Sequence, residues 1–374
     1  LPRLRQWLLD HGVSEAQLTE LTDDVHAAID RAVAWAQAEP APDTGAARDV
    51  SRPLPDELAP DADEYRGDDE AQDLTMLEAM RNVLRHQLET DADVTIAGED
   101  IADPKGDVFG LTRGLSTDHP ERVRNSALSE ATIVGKAIGQ AAAGGHPVAC
   151  IQFADFLVAA YNQIYSELAT LYWRSRGVCQ APVVILAPCG AYRPGLGPFH
   201  AQTPTTITAS IPGLDVFVPS TAGDAAGLLN AAFKSRRPAV MLYPKGLLNN
   251  LDLATSADVA DHLVPIGKAR IVQSGTDLTL VSWGSCMRVC HQAAAALHEN
   301  GLSVELIDLR TLSPWDRAAV RRSARHTGRL IVVHEDNQTC GMGSEIAADI
   351  AQHCPGSAVA RLGRKDTHIP YEYQ

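Results

Sequence analysis

From residue 73 onward, short apolar runs alternate with longer runs of helical period, and this alternation constrains the fold more than any other feature of the chain. "LTMLEAMRNVLRHQLE" repeats its apolar residues every three to four positions, "VTIAGED" is a short strand ending in acids, and "EATIVGKAIGQAAAGG" is a helix closed by glycine. "PVACIQF" then reads as strand, "FLVAAYNQIYSELATLYWRSRG" as helix, "APVVILAP" and "LDVFVPS" as strands, "AAGLLNAAFKSRR" as helix and "PAVMLYP" as strand. Helices of this length between strands are crossover connections, so the strands run parallel and are covered by helices. That is an open α/β sheet, which holds ligands at the C-terminal ends of its strands. After a less regular stretch near 247–265 a second α/β set follows, with "LTLVSWG", "CMRVCHQAAAALHENG", "SVELIDLR", a helix starting at Pro314, "RLIVVHED", the Gly-rich "TCGMGSE", "IAADIAQHC" and "SAVARLG".

The N-terminal part has a different pattern. Residues 4–36 read as two helices, the second opened by a Ser14/Gln17 capping box and carrying Leu18, Leu21, Val25, Ile29 and Val33 on one stripe, which needs a surface to pack against. Residues 38–70 are rich in Pro, Asp and Ala, which is linker composition. Of the net charge of −15, residues 1–72 supply −11, from 17 acids and 6 bases. An acidic chain disfavours nucleic acid as partner. Seven cysteines with no C-x-x-C pair argue against a disulfide framework and a zinc site, and Cys286 and Cys290 read as core packing. No uninterrupted apolar run reaches about 18 residues, and no basic-then-apolar leader opens the chain, so we expect a soluble, cytoplasmic protein without membrane contact.

The sequence contains no P-loop, no G-x-G-x-x-G after a strand, no H-E-x-x-H and no G-x-S-x-G. What remains is a set of polar and aromatic residues at the ends of predicted elements: Glu99 and Asp100 in "AGED", Glu130 in "SALSE", Phe153, Asp155 and Phe156 in "IQFADF", Gln163, and His200 with Gln202 in "RPGLGPFHAQ". Glu130 is the conspicuous member, a lone acid in a run that otherwise reads as buried helix followed by buried strand. Burying an unpaired carboxylate is costly. Each residue also has a plainer reading: a helix-start acid for Glu130, a loop histidine for His200, a core aromatic for Phe153.

In order and spacing, "AGEDI", "GDVFGLTRGL", "NSALSEATIVGKAIGQAAAGGHPV", "IQFADF", "PGLDVFVPSTAGDAAGLLNAAF", "ELIDLRTLSPWD" and "VVHEDNQTCGMGSEIAADIA" together resemble the β subunit of the E1 component of thiamine-diphosphate-dependent 2-oxo acid dehydrogenase complexes, the pyruvate, branched-chain and acetoin group. "LRQWLLDHGVSEAQLTEL" and "AVAWAQAEPAPD" resemble the C-terminal tail of the α subunit of the same enzyme, as an α–β fusion would produce. The resemblance implies a helical segment over 1–46, an acidic linker over 47–72, a transketolase-like pyrimidine-binding domain over 73–250 and a transketolase C-terminal-like domain over 251–374. It implies thiamine diphosphate as cofactor, with its aminopyrimidine on this chain. Mg²⁺ and the diphosphate fall mainly to the α portion, whose G-D-G motif this chain lacks, and no metal ligand is assigned here. Glu130 would bind N1' of the aminopyrimidine and Phe153 would lie against that ring. His200 would serve as catalytic acid near the substrate carbonyl, Glu99 would stand beside the cofactor, and Gln163 would be structural. The implied partners are an α subunit in an α2β2-like assembly and a lipoyl-bearing acyltransferase or carrier protein.

Where the family usually has His-Ser-Gln-Ser, this chain reads "HAQTPTTITAS", and Tyr192 and Arg193 replace a glycine-richer loop, so Gln202, Tyr192 and Arg193 join His200 as candidate substrate contacts. A guanidinium there suits a carboxylate or a phosphate. "NAAFKSRRP" lacks the acid often found near the family's structural potassium site, which puts a potassium ion in question. Two alternatives stand beside a 2-oxo acid dehydrogenase: transfer of a two-carbon ketol unit from a ketose phosphate to a lipoyl or carrier-protein thiol, and a non-catalytic assembly subunit.

Overall fold

The computed structural model describes residues 2–40, 50–68, 70–71, 73–191 and 195–372. Contacts divide the chain into two compact units, residues 1–48 and 49–374. In the first, helices Pro2–Asp10 and Glu15–Ala38 follow one another, and the Ser14/Gln17 capping box closes as the sequence predicts. Neither helix buries a residue. Leu21, Val25, Ile29 and Val33 of the stripe are each about half exposed or more.

In the second unit the strands are β1 (Val94–Gly98), β2 (Val123–Asn125), β3 (His146–Cys150), β4 (Val184–Cys189), β5 (Asp215–Phe217), β6 (Ala239–Pro244), β7 (Arg270–Gln273), β8 (Leu278–Ser282), β9 (Val304–Asp308), β10 (Thr311–Ser313), β11 (Arg329–Asn337) and β12 (Ala358–Arg364). Among the described residues they form one sheet in the order β10-β5-β6-β4-β3-β1-β2 and a second in the order β12-β11-β8-β9-β7. All pairings are parallel except those of β10 with β5 and β7 with β9, so the expected α/β class with two open sheets holds. Every residue of β3, β4 and β6 is buried, as strands covered on both faces must be. The two sheets are not independent, because β10 lies in the C-terminal part of the chain yet closes the edge of the first sheet.

Two expectations change. The acidic stretch is no free linker over 50–68: Leu58 is fully buried, Tyr65 exchanges backbone bonds with Leu263, and Glu64 accepts from Arg310 at 3.0 Å. Its acids find cations on the folded unit, which composition cannot reveal. Arg310, itself fully buried, also donates to Asp224 at 3.0 Å and to the Lys268 carbonyl at 2.8 Å, and so ties this strap to both sheets. The long helix expected after "IQFAD" is instead a 3-10 turn (Ala154–Ala160), a π turn (Gln163–Leu168) and a short α turn (Leu171–Arg174). Its spiral widens where Ala169 N–H reaches Ile164 O at 3.0 Å, and Thr170 Oγ1 bonds back to Ser166 O at 2.6 Å. No helix among the described residues is long and apolar enough to cross a membrane.

Candidate active site

The first sheet brings its strand ends together in the order β6, β4, β3, β1, and the residues singled out from the sequence stand just past them. Glu99 follows β1, Phe153 follows β3, and His200 lies in the connection leaving β4. Such C-terminal strand ends are where an open α/β sheet takes its ligand.

Glu130 is not embedded in a buried run. It is the first residue of helix Glu130–Ala142, half-buried, behind the cap residue Ser129, while Ile133, Val134, Ala137 and Ala141 form the buried face. A carboxylate in that first turn is favoured by the helix dipole. Glu99, 8 % exposed, is the more confined acid: burial and then the charge of Glu130 push its pKa up, against a bond from the Ser129 N–H. Its Oε1 has no hydrogen-bond partner among the described residues. Gln152 Nε2 donates to the Glu99 carbonyl at 3.3 Å and thereby links this acidic side to the segment that carries Phe153. The site thus presents two neighbouring carboxyls, of which Glu99 has its pKa raised by burial and by the other.

Phe153 packs in an aromatic cluster that includes His200. Its ring meets Phe109 edge-on at 6.0 Å and Phe156 at 5.9 Å. The His200 imidazole stands edge-on to Phe153 at 4.7 Å and to Phe156 at 5.6 Å, which confines it from two directions. Glu130, Glu99, Phe153 and His200 therefore belong to one constellation. Gln202 lies two residues on, its N–H donating to Asp155 Oδ1 at 3.1 Å. Gln163 packs against Gly135 of the Glu130 helix, a structural position. Tyr192 and Arg193 lie outside the described residues.

The His200 segment is held largely from the second sheet. Glu335 Oε1 accepts from Ala191 N–H at 3.0 Å. Asp336 Oδ2 accepts from Thr205 Oγ1 at 2.9 Å, Thr206 N–H at 3.2 Å and Thr206 Oγ1 at 3.0 Å. Arg364 Nη2 donates to Gln202 Oε1 at 3.2 Å. Gly190 permits the approach, since at its φ of +79° a Cβ would lie 2.9 Å from Glu335 Oε2. A cavity of about 430 Å³ opens along this seam, lined in part by Asp155, Gln202, Asp336, Asn337 and Arg364. Burial raises the pKa of both Glu335 and Asp155. Sequence reasoning missed Glu335, Asp336 and Arg364 as parts of the site. The acids that end the apolar run "RLIVVHED" were the available signal, at the C-terminal end of a strand in the other sheet. Among the described residues no group of three or more His, Cys, Asp and Glu side chains is arranged to hold a metal ion.

Comparison with known proteins places these features in context. The transketolase pyrimidine-binding domain matches residues 72–250, and the transketolase C-terminal domain matches residues 267–374. The chain is 38% identical over 311 residues to the mitochondrial 2-oxoisovalerate dehydrogenase subunit beta of Dictyostelium discoideum, covering 82% of this chain and 83% of that protein. It is 37% identical over 282 residues to 2-oxoisovalerate dehydrogenase subunit beta of Bacillus subtilis, covering 75% and 85%. It is 38% identical over 274 residues to the pyruvate dehydrogenase E1 component subunit beta of Acholeplasma laidlawii, covering 73% and 83%. Among solved structures, a split-gene transketolase described as an inactive β4 tetramer shares the fold, with a TM-score of 0.63 at 22% identity over 78% of this chain and 89% of that one.

Proposed function

Because the chain belongs to the β-subunit family of the thiamine-diphosphate-dependent 2-oxo acid dehydrogenases, we propose that it is the β portion of such an enzyme, decarboxylating a 2-oxo acid and passing the acyl unit to a lipoyl group. The observation that carries the reading is the neighbouring carboxyls Glu99 and Glu130 together with the edge-on contact of the His200 ring with Phe153.

These residues fit one half of the cofactor. An aminopyrimidine is a flat ring edged with nitrogens: the orphaned Glu99 Oε1 and the half-buried Glu130 suit the edge, and the Phe153 ring suits the face. Thiamine diphosphate, when bound, would supply a C2 carbon that becomes a nucleophile for the 2-oxo carbon once its proton is removed, and a cationic ring that can accept the electron pair released with CO2. Glu130 would hydrogen-bond N1' of the aminopyrimidine and so tune the basicity of its 4'-nitrogen. Glu99, kept toward its neutral form by burial and by Glu130, limits the negative charge beside that ring. Phe153 orients the ring without competing for its hydrogen bonds. His200, confined between Phe153 and Phe156, donates a hydrogen bond or proton to the substrate oxygen.

The diphosphate and its Mg²⁺ belong to an α portion in this reading, with residues 73–250 carrying the pyrimidine side and residues 251–374 bracing it. Exposed Leu128, Val158 and Phe199 suit a covered interface in an α2β2-like assembly, and a lipoyl-bearing acyltransferase would take the acyl group. The ketose-phosphate alternative leaned on Arg193, outside the described residues, and on the altered His200 loop. The named relatives favour 2-oxo acids.

The test is to reconstitute the chain with an α-type subunit, thiamine diphosphate and Mg²⁺, and to follow reduction of an artificial electron acceptor. Turnover of branched-chain 2-oxo acids or pyruvate that is lost in Glu130→Gln is the expected result. Consumption of a ketose phosphate with every 2-oxo acid inert would contradict it.

A further inference from the structure

Lys245 follows β6 directly and is 4% exposed, far more deeply placed than a lysine ordinarily is. Its ammonium has specific surroundings. Nζ donates to the backbone carbonyl of His200, and it lies 4.9 Å from the centroid of the Phe153 ring, close enough for a cation–π contact. Asp155, Glu335 and the Cys189 thiol stand near enough to favour its charge, although burial is the larger influence and lowers its pKa. The two carboxyls are members of the same seam: Asp155 bonds the Gln202 N–H, and Glu335 bonds the Ala191 N–H. One cation therefore touches the backbone of His200 and the face of Phe153, and is surrounded by the groups that fix the rest of the loop.

We propose that Lys245 is a positioning residue for the reaction: its ammonium fixes the His200 backbone against the Phe153 ring, so that imidazole and aromatic wall keep one mutual arrangement. The inference rests on the reading that Phe153 and His200 flank the reacting end of the cofactor. Lys245 itself takes no part in bond making. A carbonyl held by an ammonium loses the freedom to swing, and the His200 ring, packed edge-on between two phenylalanines, moves with its backbone. A misplacement of about 1 Å at such a group costs on the order of a hundredfold in rate.

The experiment has two readouts. In the chain alone, the imidazole resonance of His200, assigned by its loss in His200→Gln, reports the ring currents of Phe153 and Phe156. We expect Lys245→Met to move it toward the position of a solvent-exposed histidine while the other histidines keep theirs, and Lys245→Arg to stay near the wild type. In the assembly reconstituted with an α-type subunit and thiamine diphosphate, kcat falls on the order of a hundredfold in Lys245→Met and recovers at least tenfold in Lys245→Arg. Should Lys245→Met fail to fold, Lys245→Gln, which keeps an N–H donor but no charge, is read in the same way and is expected between the two. A His200 resonance unmoved in the folded variant, or Arg as damaging as Met, overturns the proposal. Failure of the functional reading looks different: Glu130→Gln would then leave turnover intact, whatever the His200 resonance does.

Discussion

The acidic side of the site and the His200 side are built from different distances along the chain. Glu99 and Glu130 come from the end of β1 and the start of the next long helix, and their mutual field is set by burial and a helix N-terminus. His200 sits in a loop whose bonds reach Glu335, Asp336 and Arg364, between 130 and 162 positions away. The first side is a product of local structure. The second combines contacts made within the first sheet, from Phe153, Phe156 and Lys245 to His200, with bonds to the flanking loop that exist only once both sheets have docked. The departures from the family pattern concentrate on that second side, where Thr205 and Thr206 bind Asp336.

Substitutions can separate the two sides. The largest expected effect is Glu130→Gln, which removes the carboxyl proposed to meet the aminopyrimidine: turnover of the reconstituted assembly falls by about 10²–10⁴. Thermal unfolding of the chain changes little, because the residue is half-buried at a helix start. Arg310→Met serves as the contrasting case, since it removes the nearest cationic partner of both Asp224 and Glu64 and should cost about 3–5 kcal/mol in urea unfolding, impairing both sides alike. An Arg310→Met chain that lost His200-dependent activity yet kept its stability would break the view of Arg310 as a joint.

Asp336→Ala acts on one side only. Without its bonds to Thr205 and Thr206 the loop loosens, and kcat/KM for the 2-oxo acid should fall by about ten- to a hundredfold while the affinity for thiamine diphosphate stays the same. Calorimetric titration of the cofactor beside steady-state kinetics would check that split. The smallest effect concerns Glu99. Its pKa is raised in the folded chain, so the stability it allows is full below its unfolded value and is lost as pH rises through the folded one. Melting temperatures followed from about pH 4 to 8 should fall more steeply in the wild type than in Glu99→Gln. A steeper fall in the variant would show that Glu99 is held as a carboxylate.

The same division explains what the sequence could reveal. β3, β4 and β6 were legible because a buried parallel strand must be an unbroken apolar run, and the placement of Glu99 and Phe153 was legible because they stand close to where such runs stop, whereas His200, well past the end of β4, stood out through its likeness to a family motif. The capping box at Ser14 was legible because it closes within one turn. Lys245 and Asp336 were not, because a lysine after "MLYP" and an acid after "IVVHE" look like ordinary solvated strand ends until distant segments fold over them. The strap over 50–68 escaped for a related reason: its acids resemble linker composition, and their partners, such as Arg310, lie far along the chain.

The most direct test is the exchange of the C2 proton of bound thiamine diphosphate with solvent deuterium, measured by NMR after acid quench in the reconstituted assembly with no substrate present. If Glu130 governs the cofactor and His200 the substrate, Glu130→Gln slows exchange by about a hundredfold or more, and His200→Gln leaves it within a few-fold of the wild type. Unchanged exchange in Glu130→Gln, or equal slowing in both variants, would contradict the division of the site into two sides.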